Sequence, residues 1–217
     1  MKKVAVILSG CGVYDGSEIQ EAVLLVLALD RLNAQIIFAA PDANHHHVTN
    51  HLTNQNVTEN RNILSESARI ARGSIIPVRE LNAKMFDAVI IPGGFGAATN
   101  LSTFACGGEN FEVQPDIANI LCEAHRAGKP LGFICIAPVI AAKLFGKDHV
   151  EVTIGNDSGT AAAIQKTGAK HCSCTVHNII IDRRLKIVTT PAYMLGKRIT
   201  EVEAGINKLV QAVLEMA

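Results

Sequence analysis

Pro130-Leu131-Gly132-Phe133-Ile134-Cys135-Ile136-Ala137-Pro138 is the stretch around which the chain is read. Leu131 to Ile134 is an apolar run too short for a buried helix and bounded by Lys129-Pro130, so it reads as a strand buried on both faces. Cys135 ends that strand. Val139 to Phe145 then follow at helical spacing, and Pro138 fits a first-turn position, where no amide hydrogen is needed. The reading is a strand, a sharp turn and a helix, with a thiol at the turn. Such an elbow lifts its side chain above the sheet while the amides of the next helix point towards it. A helix N-terminus favours thiolate over thiol, which would make Cys135 a nucleophile near neutral pH. The plain alternative is an inert core cysteine. Partners elsewhere in the chain have to decide between the two.

Outward from the elbow, strands and helices alternate. Val4–Leu8, Ile36–Ala40, Ala88–Ile91 and Val150–Ile154 read as inner strands, Ile75–Val78 as a strand-like segment, and Ile179–Asp182 with Leu185–Thr190 as a hairpin ending the sheet. Helices are expected over Ser17–Leu32 with Ser17 as N-cap, and over Ile63–Arg72, Pro115–Ala127, Thr160–Thr167 and Lys197–Met216. The order predicts an α/β fold, a doubly wound and mainly parallel sheet with helices on both faces. With 217 residues, 48% of them hydrophobic, one domain over residues 1–217 is expected. Residues 41–62 are polar and irregular, and read as a surface excursion.

Composition narrows the function. The formal net charge is zero and aromatics make up 4%, so neither a nucleic-acid groove nor a membrane-surface helix is suggested, and a small ligand or a protein surface is the expected partner. No run approaches a membrane span, and the apolar run after Lys2-Lys3 stops short of signal-peptide length. Six scattered cysteines lack the spacing of a secreted disulfide scaffold, which points to a reducing compartment, the cytoplasm. His45-His46-His47 reads as solvated loop, since sequence neighbours do not converge on one ion, and His171-Cys172-Ser173-Cys174 with His177 places only two thiols on one strand face. No metal is expected.

In a parallel sheet every strand-to-helix loop emerges on the side of Cys135, so its partners must come from residues 10–21, 92–96, 155–158 and 190–193. This excludes His149, which precedes its strand, and His125, on the helix before the elbow strand. Glu18 and Glu21 pass. A carboxyl desolvated beside a thiol has its pKa raised and can hold or move a proton. Glu21 faces the more apolar side, whereas either residue alone could simply complement the helix dipole. Three glycines in Pro92-Gly93-Gly94-Phe95-Gly96 let backbone amides approach a ligand. Gly93, Gly94 and the amide of Ile136 are the candidate oxyanion hole. Asn156, Asp157 and Tyr193 are rim candidates.

Four motifs in order, Leu8-Ser9-Gly10-Cys11-Gly12-Val13-Tyr14-Asp15-Gly16-Ser17-Glu18-Ile19, Ile91-Pro92-Gly93-Gly94-Phe95-Gly96-Ala97-Ala98, Gly132-Phe133-Ile134-Cys135-Ile136-Ala137-Pro138 and Val188-Thr189-Thr190-Pro191-Ala192, resemble the ElbB family of the PfpI-like, class I glutamine-amidotransferase-like superfamily. The resemblance runs along essentially the whole chain. It implies a flavodoxin-like α/β fold, a nucleophilic Cys135, an acid partner matched by Glu21 with Glu18 one turn earlier, and a homodimer. It also implies a glutathione-independent, cofactor-free glyoxalase (a lyase) acting on glyoxal or a similar small dicarbonyl. The sequence departs from PfpI-type proteases, whose histidine directly after the cysteine is replaced by Ile136, and from relatives whose histidine would fall near Gly155 or Asn156. A second reading is therefore carried: a redox-responsive dimeric binding module, or an amidotransferase-like protein without hydrolytic activity, distinguished by selective oxidation of Cys135 with negligible dicarbonyl turnover.

Overall fold

A computed structural model describes residues 1–217, the side chain of Glu109 excepted. In chain order it runs β1 (Lys3–Ile7), α1 (Ile19–Arg31), β2 (Gln35–Ala40), β3 (Val48–Asn50), β4 (Gln55–Val57), α2 (Ile63–Ile70), β5 (Ile76–Pro77), β6 (Ala88–Ile91), α3 (Phe95–Thr99), α4 (Phe104–Gly107), α5 (Pro115–Arg126), β7 (Leu131–Ile134), α6 (Pro138–Phe145), β8 (Glu151–Val152), α7 (Ser158–Lys166), β9 (Lys170–His171), β10 (Ile180–Asp182), β11 (Ile187–Thr190) and α8 (Ile199–Met216). The central sheet has the order β10-β11-β7-β6-β1-β2-β5. All its pairings are parallel except β10 with β11, which closes one edge as the expected hairpin. This is the flavodoxin-like, doubly wound arrangement.

Alternation along each inner strand builds two cores. Val4 and Val6 of β1 and Leu8 just after it, with Ala88 and Ile90 of β6, pack beneath α1, α2 and α8, where Leu25, Leu29, Ile63, Ile206 and Leu209 meet them. Ala5, Ile7, Val89, Ile91, Leu131 and Phe133 face the other way, onto Ile117, Ile120 and Leu121 of α5 and Val139 and Ile140 of α6. A strand that feeds both layers has to be apolar throughout, which is why these runs are unbroken.

The chain crosses over between β1 and β6, so the loop after β1 and the loop after β6 diverge to opposite faces and leave a crevice at their carboxyl ends. Backbone hydrogen bonds knit the two loops together: Glu18 N–H donates to Gly93 O (2.9 Å), Phe95 N–H to Val13 O (2.8 Å) and Gly96 N–H to Gly16 O (2.9 Å). The Asn100 side-chain amide ties the first loop from below, donating to Ser9 O (2.9 Å) and Asp15 O (2.8 Å).

Three sequence expectations are corrected. The N-cap of α1 is Glu18, not Ser17; the Ser17 hydroxyl accepts instead from the Ser9 amide at 2.9 Å, so a tertiary contact displaces a local one. Residues 41–62 are not wholly irregular, because they contain the antiparallel pair β3 and β4. Val150–Ile154 does not join the central sheet: only Glu151 and Val152 form a ladder, and they pair with β9 in a separate two-stranded sheet.

Candidate active site

Cys135 follows β7 with φ = 63°, in the left-handed region that residues with a Cβ seldom occupy. The conformation is held because its amide donates to Thr190 O of β11 (2.9 Å) while Ala137 N–H turns back to Ile134 O (3.0 Å). Pro138 opens α6 as expected. Strain of this kind survives only where surrounding structure over-determines it. It aims the sulfur at the carboxyl edge of the sheet.

There the sulfur meets Glu21. The Glu21 carboxyl and the Cys135 thiol flank the same point, since a Cβ on Gly93 would stand 2.5 Å from Glu21 Oε2 and 2.9 Å from the Cys135 sulfur, and each shifts the ionisation of the other. Glu21 is fully buried, with Oε2 accepting from Gly93 N–H at 3.0 Å and Oε1 accepting from Tyr193 N–H at 3.1 Å. Four separate loops, those after β1, β6, β7 and β11, thus converge on one carboxyl and one thiol. Burial, partly opposed by the Tyr193 amide, pushes the Glu21 pKa up to about 8. Burial and then the Glu21 charge hold the Cys135 pKa well above its ordinary value, and the amides of Gly94 and Ile136 beside the sulfur pull the other way. The expectation that the helix N-terminus alone yields a thiolate is therefore corrected. Desolvation and a neighbouring carboxylate outweigh it, and the ionisation of the thiol is tied to that of Glu21.

Gly93 leaves the expected oxyanion hole. Its amide donates to Glu21, so only the amides of Gly94 and Ile136 face the sulfur. Its role is room: a Cβ at position 93 would lie 2.3 Å from the Cβ of Cys135 and 2.5 Å from Glu21 Oε2. Gly94, at φ = 97°, is equally constrained, with a Cβ placed 2.3 Å from Gly16 O.

A cavity of about 520 Å³ opens over the sulfur, and its wall includes Glu18, Gly94, Cys135, Ile136, Asp157 and Tyr193. Cys135 itself is 8% exposed and lines this cavity. Glu18 takes a different place from Glu21. Its Oε2 accepts from Glu21 N–H (2.6 Å), and burial, partly opposed by the amides of Glu21 and Gln20, raises its pKa. Tyr193 stands at the rim with its hydroxyl donating to the Gln20 side chain. Asp157 caps α7 by accepting from Thr160 N–H at 2.7 Å, which lowers its pKa. Asn156 is a correction: it is exposed, and the wall is formed by Asp157 and Thr160 beside it. Sequence reasoning missed Val13, Phe104, Thr160 and Met194 in this wall. None carries a chemical signal; only the fold brings them there.

The histidines lie apart from the sulfur. His149 sits after α6 with Nδ1 on Gly168 O (3.0 Å), and His125, in the last turn of α5, packs on Phe145; neither lines the cavity. The run His45-His46-His47 is not simply solvated loop. His45 packs under the β1–α1 loop with Nδ1 against Asp15 O (2.8 Å), His46 Nε2 lies 3.3 Å from the Cys106 sulfur, and His47 Nε2 lies 3.3 Å from Tyr14 O. Three neighbours thus take three partners. Among the described residues no group of three or more His, Cys, Asp or Glu side chains is placed to hold a metal, and no helix is long and apolar enough to cross a membrane.

Comparison with known proteins places this geometry. The human protein named glutamine amidotransferase-like class 1 domain-containing protein 3, mitochondrial, is 46% identical over 224 residues, covering 99% of this chain and 83% of its own. The chain belongs to the glutamine amidotransferase-like class 1 domain family. The ES1 protein homolog of Rattus norvegicus, also named mitochondrial, is 45% identical over 99% of this chain and 84% of its own. Among solved structures, an isoprenoid biosynthesis protein with an amidotransferase-like domain from Ehrlichia chaffeensis is 38% identical, with a TM-score of 0.94 over 100% of this chain and 99% of that one. A DJ-1 superfamily protein from Salmonella typhimurium, 20% identical with a TM-score of 0.57 over 99% of this chain and 91% of that one, shares the fold. No family model matches the chain. Within this amidotransferase-like family, the class I triad histidine has no counterpart in the wall around Cys135.

Proposed function

We propose that the chain is a cofactor-independent glyoxalase that converts glyoxal, or a similar small dicarbonyl, to the hydroxy acid through Cys135. The observation that carries the reading is the juxtaposition of the buried Glu21 carboxyl and the Cys135 thiol at the floor of an open cavity, with the amides of Gly94 and Ile136 beside the sulfur. A thiol paired with a buried acid and no imidazole suits addition to an aldehyde, which needs one proton moved and no leaving amine protonated.

In this mechanism Glu21, once ionised, takes the thiol proton as sulfur attacks the aldehyde carbon. The sulfur then no longer needs its two N–H donors, and the amides of Gly94 and Ile136 are freed for the oxygen of the adduct. Glu18, whose carboxyl lines the cavity and has a raised pKa, moves the aldehyde hydrogen to the second carbon as a proton. The product of that shift is a thioester, and water cleaves it to glycolate and the free thiol.

The amidotransferase alternative lacks its histidine base, and burial of Cys135 argues against a sensor, because sensing thiols are exposed and of low pKa. The homodimer and the reducing compartment remain part of the proposal. The stripe Ile19, Val23 and Leu27 of α1, between 38 and 52% exposed, is where pairing of two copies is to be sought. The test is glycolate formation from glyoxal by the wild type and by Cys135→Ser; equal rates in the two end the reading.

A further inference from the structure

The cavity is too large and too apolar for glyoxal. Glyoxal has four heavy atoms and fills roughly two water volumes, on the order of 60 Å³, against about 520 Å³ over Cys135. That size falls within the range of sites that enclose ligands of many atoms. Most of the remaining wall is hydrocarbon: Val13, Phe95, Ala98, Phe104 and Met194. Water filling such a space makes few hydrogen bonds, so an apolar group that displaces it is favoured. Phe95, the first residue of α3, lines this wall and is 53% exposed, with its amide locked to Val13 O. A half-exposed aromatic ring held on a fixed backbone offers a face to stack on.

Charge selects as well. The ionisable side chains in the wall, apart from Cys135 and Tyr193, are the carboxyls of Glu18 and Asp157, and no lysine or arginine is among the described wall residues. Asp157 is held ionised by the α7 amide it caps. A carboxylate or phosphate on the ligand would face like charge with no counter-ion.

We propose that the preferred substrate is an uncharged α-oxoaldehyde carrying an aryl group, with phenylglyoxal as its simplest probe, rather than glyoxal. This rests on the catalytic reading above and specifies its substrate class. The chemistry balances without an outside oxidant. Sulfur bonds to the aldehyde carbon, the hydrogen of that carbon leaves as a proton to Glu18, and the electron pair passes to the ketone carbon, which is reprotonated. The aldehyde carbon is oxidised by two electrons and the ketone carbon reduced by two. Water then breaks the C–S bond, giving mandelate and the thiol.

The experiment compares kcat/KM for glyoxal and phenylglyoxal, with mandelate as product. The expected result is at least a tenfold preference for phenylglyoxal, and a fall of that ratio by tenfold or more in Ala105→Trp, which adds an indole to the cavity wall. In the wild type, acetophenone should inhibit phenylglyoxal turnover at least tenfold more strongly than benzoate of the same shape. Glyoxal consumed as well as phenylglyoxal, or benzoate inhibiting as well as acetophenone, overturns this inference and leaves the catalytic reading in place. If the wild type consumes neither dicarbonyl, the two readings fall together.

Discussion

Gly93 and Cys135 stand so close that a single methyl on Gly93 would lie 2.3 Å from the Cys135 Cβ and 2.9 Å from its sulfur. The backbone of one loop is the floor on which the nucleophile of another rests. Both atoms nearest the missing methyl, the Cβ of Cys135 and Oε2 of Glu21, are fixed by their own contacts, so neither can yield easily.

Gly93→Ala is therefore expected to separate the thiol from the carboxyl. Activity should drop by about 10² or more, in line with the loss of a positioned acid–base partner, with a stability loss of about 1–3 kcal/mol from overpacking. Steady-state kinetics and urea denaturation of the same sample check both. Wild-type kinetics in this variant would show that the Glu21–Cys135 contact is dispensable.

The rate should follow Glu21. Its carboxylate form, the base that accepts the thiol proton, predominates only above about pH 8. Turnover at limiting substrate should climb about tenfold per pH unit below that value and level off above it. In Glu21→Gln the limb should vanish, and the rate should fall by about 10² or more. A profile flat from pH 6 to 9 in the wild type would contradict the assignment.

Stability should move in the opposite direction. In the folded state Glu21 keeps its proton up to about pH 8, whereas unfolded it ionises around its ordinary value of 4.5. Between those values the folded chain binds more protons than the unfolded one, so stability declines as pH rises from about 4.5 to about 8. The decline attributable to this residue is on the order of several kcal/mol, at ~1.4 kcal/mol per unit of pKa difference. Urea midpoints at pH 5.5 and 8.5 should fall further in the wild type than in Glu21→Gln. The glutamine itself costs ~1–3 kcal/mol at the lower pH, because its NH₂ group cannot accept from both amides that Glu21 now satisfies.

Glu18→Gln separates the second carboxyl from the first. Sulfur addition should persist while the carbon-to-carbon proton shift slows by about 10², so that the hemithioacetal accumulates and becomes visible by intact-protein mass spectrometry after reductive trapping. Unchanged hydroxy-acid formation in this variant would return the proton shift to Glu21.

Much of this was legible in residue order. The unbroken runs at Val4–Leu8 and Ala88–Ile91 announce a strand clothed on both faces, and Cys135 between a strand and a proline-started helix announces the elbow. The rule that partners come from the carboxyl edge of a parallel sheet excludes His149 and His125 from residue order alone. The choice between Glu18 and Glu21 was only partly legible: the more apolar side favoured Glu21, but both sit in one helical turn. It is settled by Ser17, whose hydroxyl is taken by the Ser9 amide, leaving Glu18 to cap the helix and Glu21 to point inward. That Val150–Ile154 stays out of the central sheet was invisible for a related reason. Side chains there do the work of a backbone ladder, with Glu151 N–H on Asp182 (3.1 Å) and Thr153 N–H on the Thr189 hydroxyl (2.9 Å). The Gly93 amide was misassigned because a glycine beside a site looks the same whether it binds a ligand or makes room for a neighbour.

The left-handed backbone at Cys135 is maintained by a hydrogen bond from its amide to Thr190 O of β11, a strand more than fifty residues further along the chain. A peptide spanning the elbow alone would relax to an ordinary conformation, and its sulfur would titrate like any cysteine in water. Labelling of this thiol by a small alkylating reagent, followed through a denaturant series, thus reports the moment at which distant parts of the polypeptide come together, and loss of its distinctive behaviour should coincide with global unfolding rather than precede it.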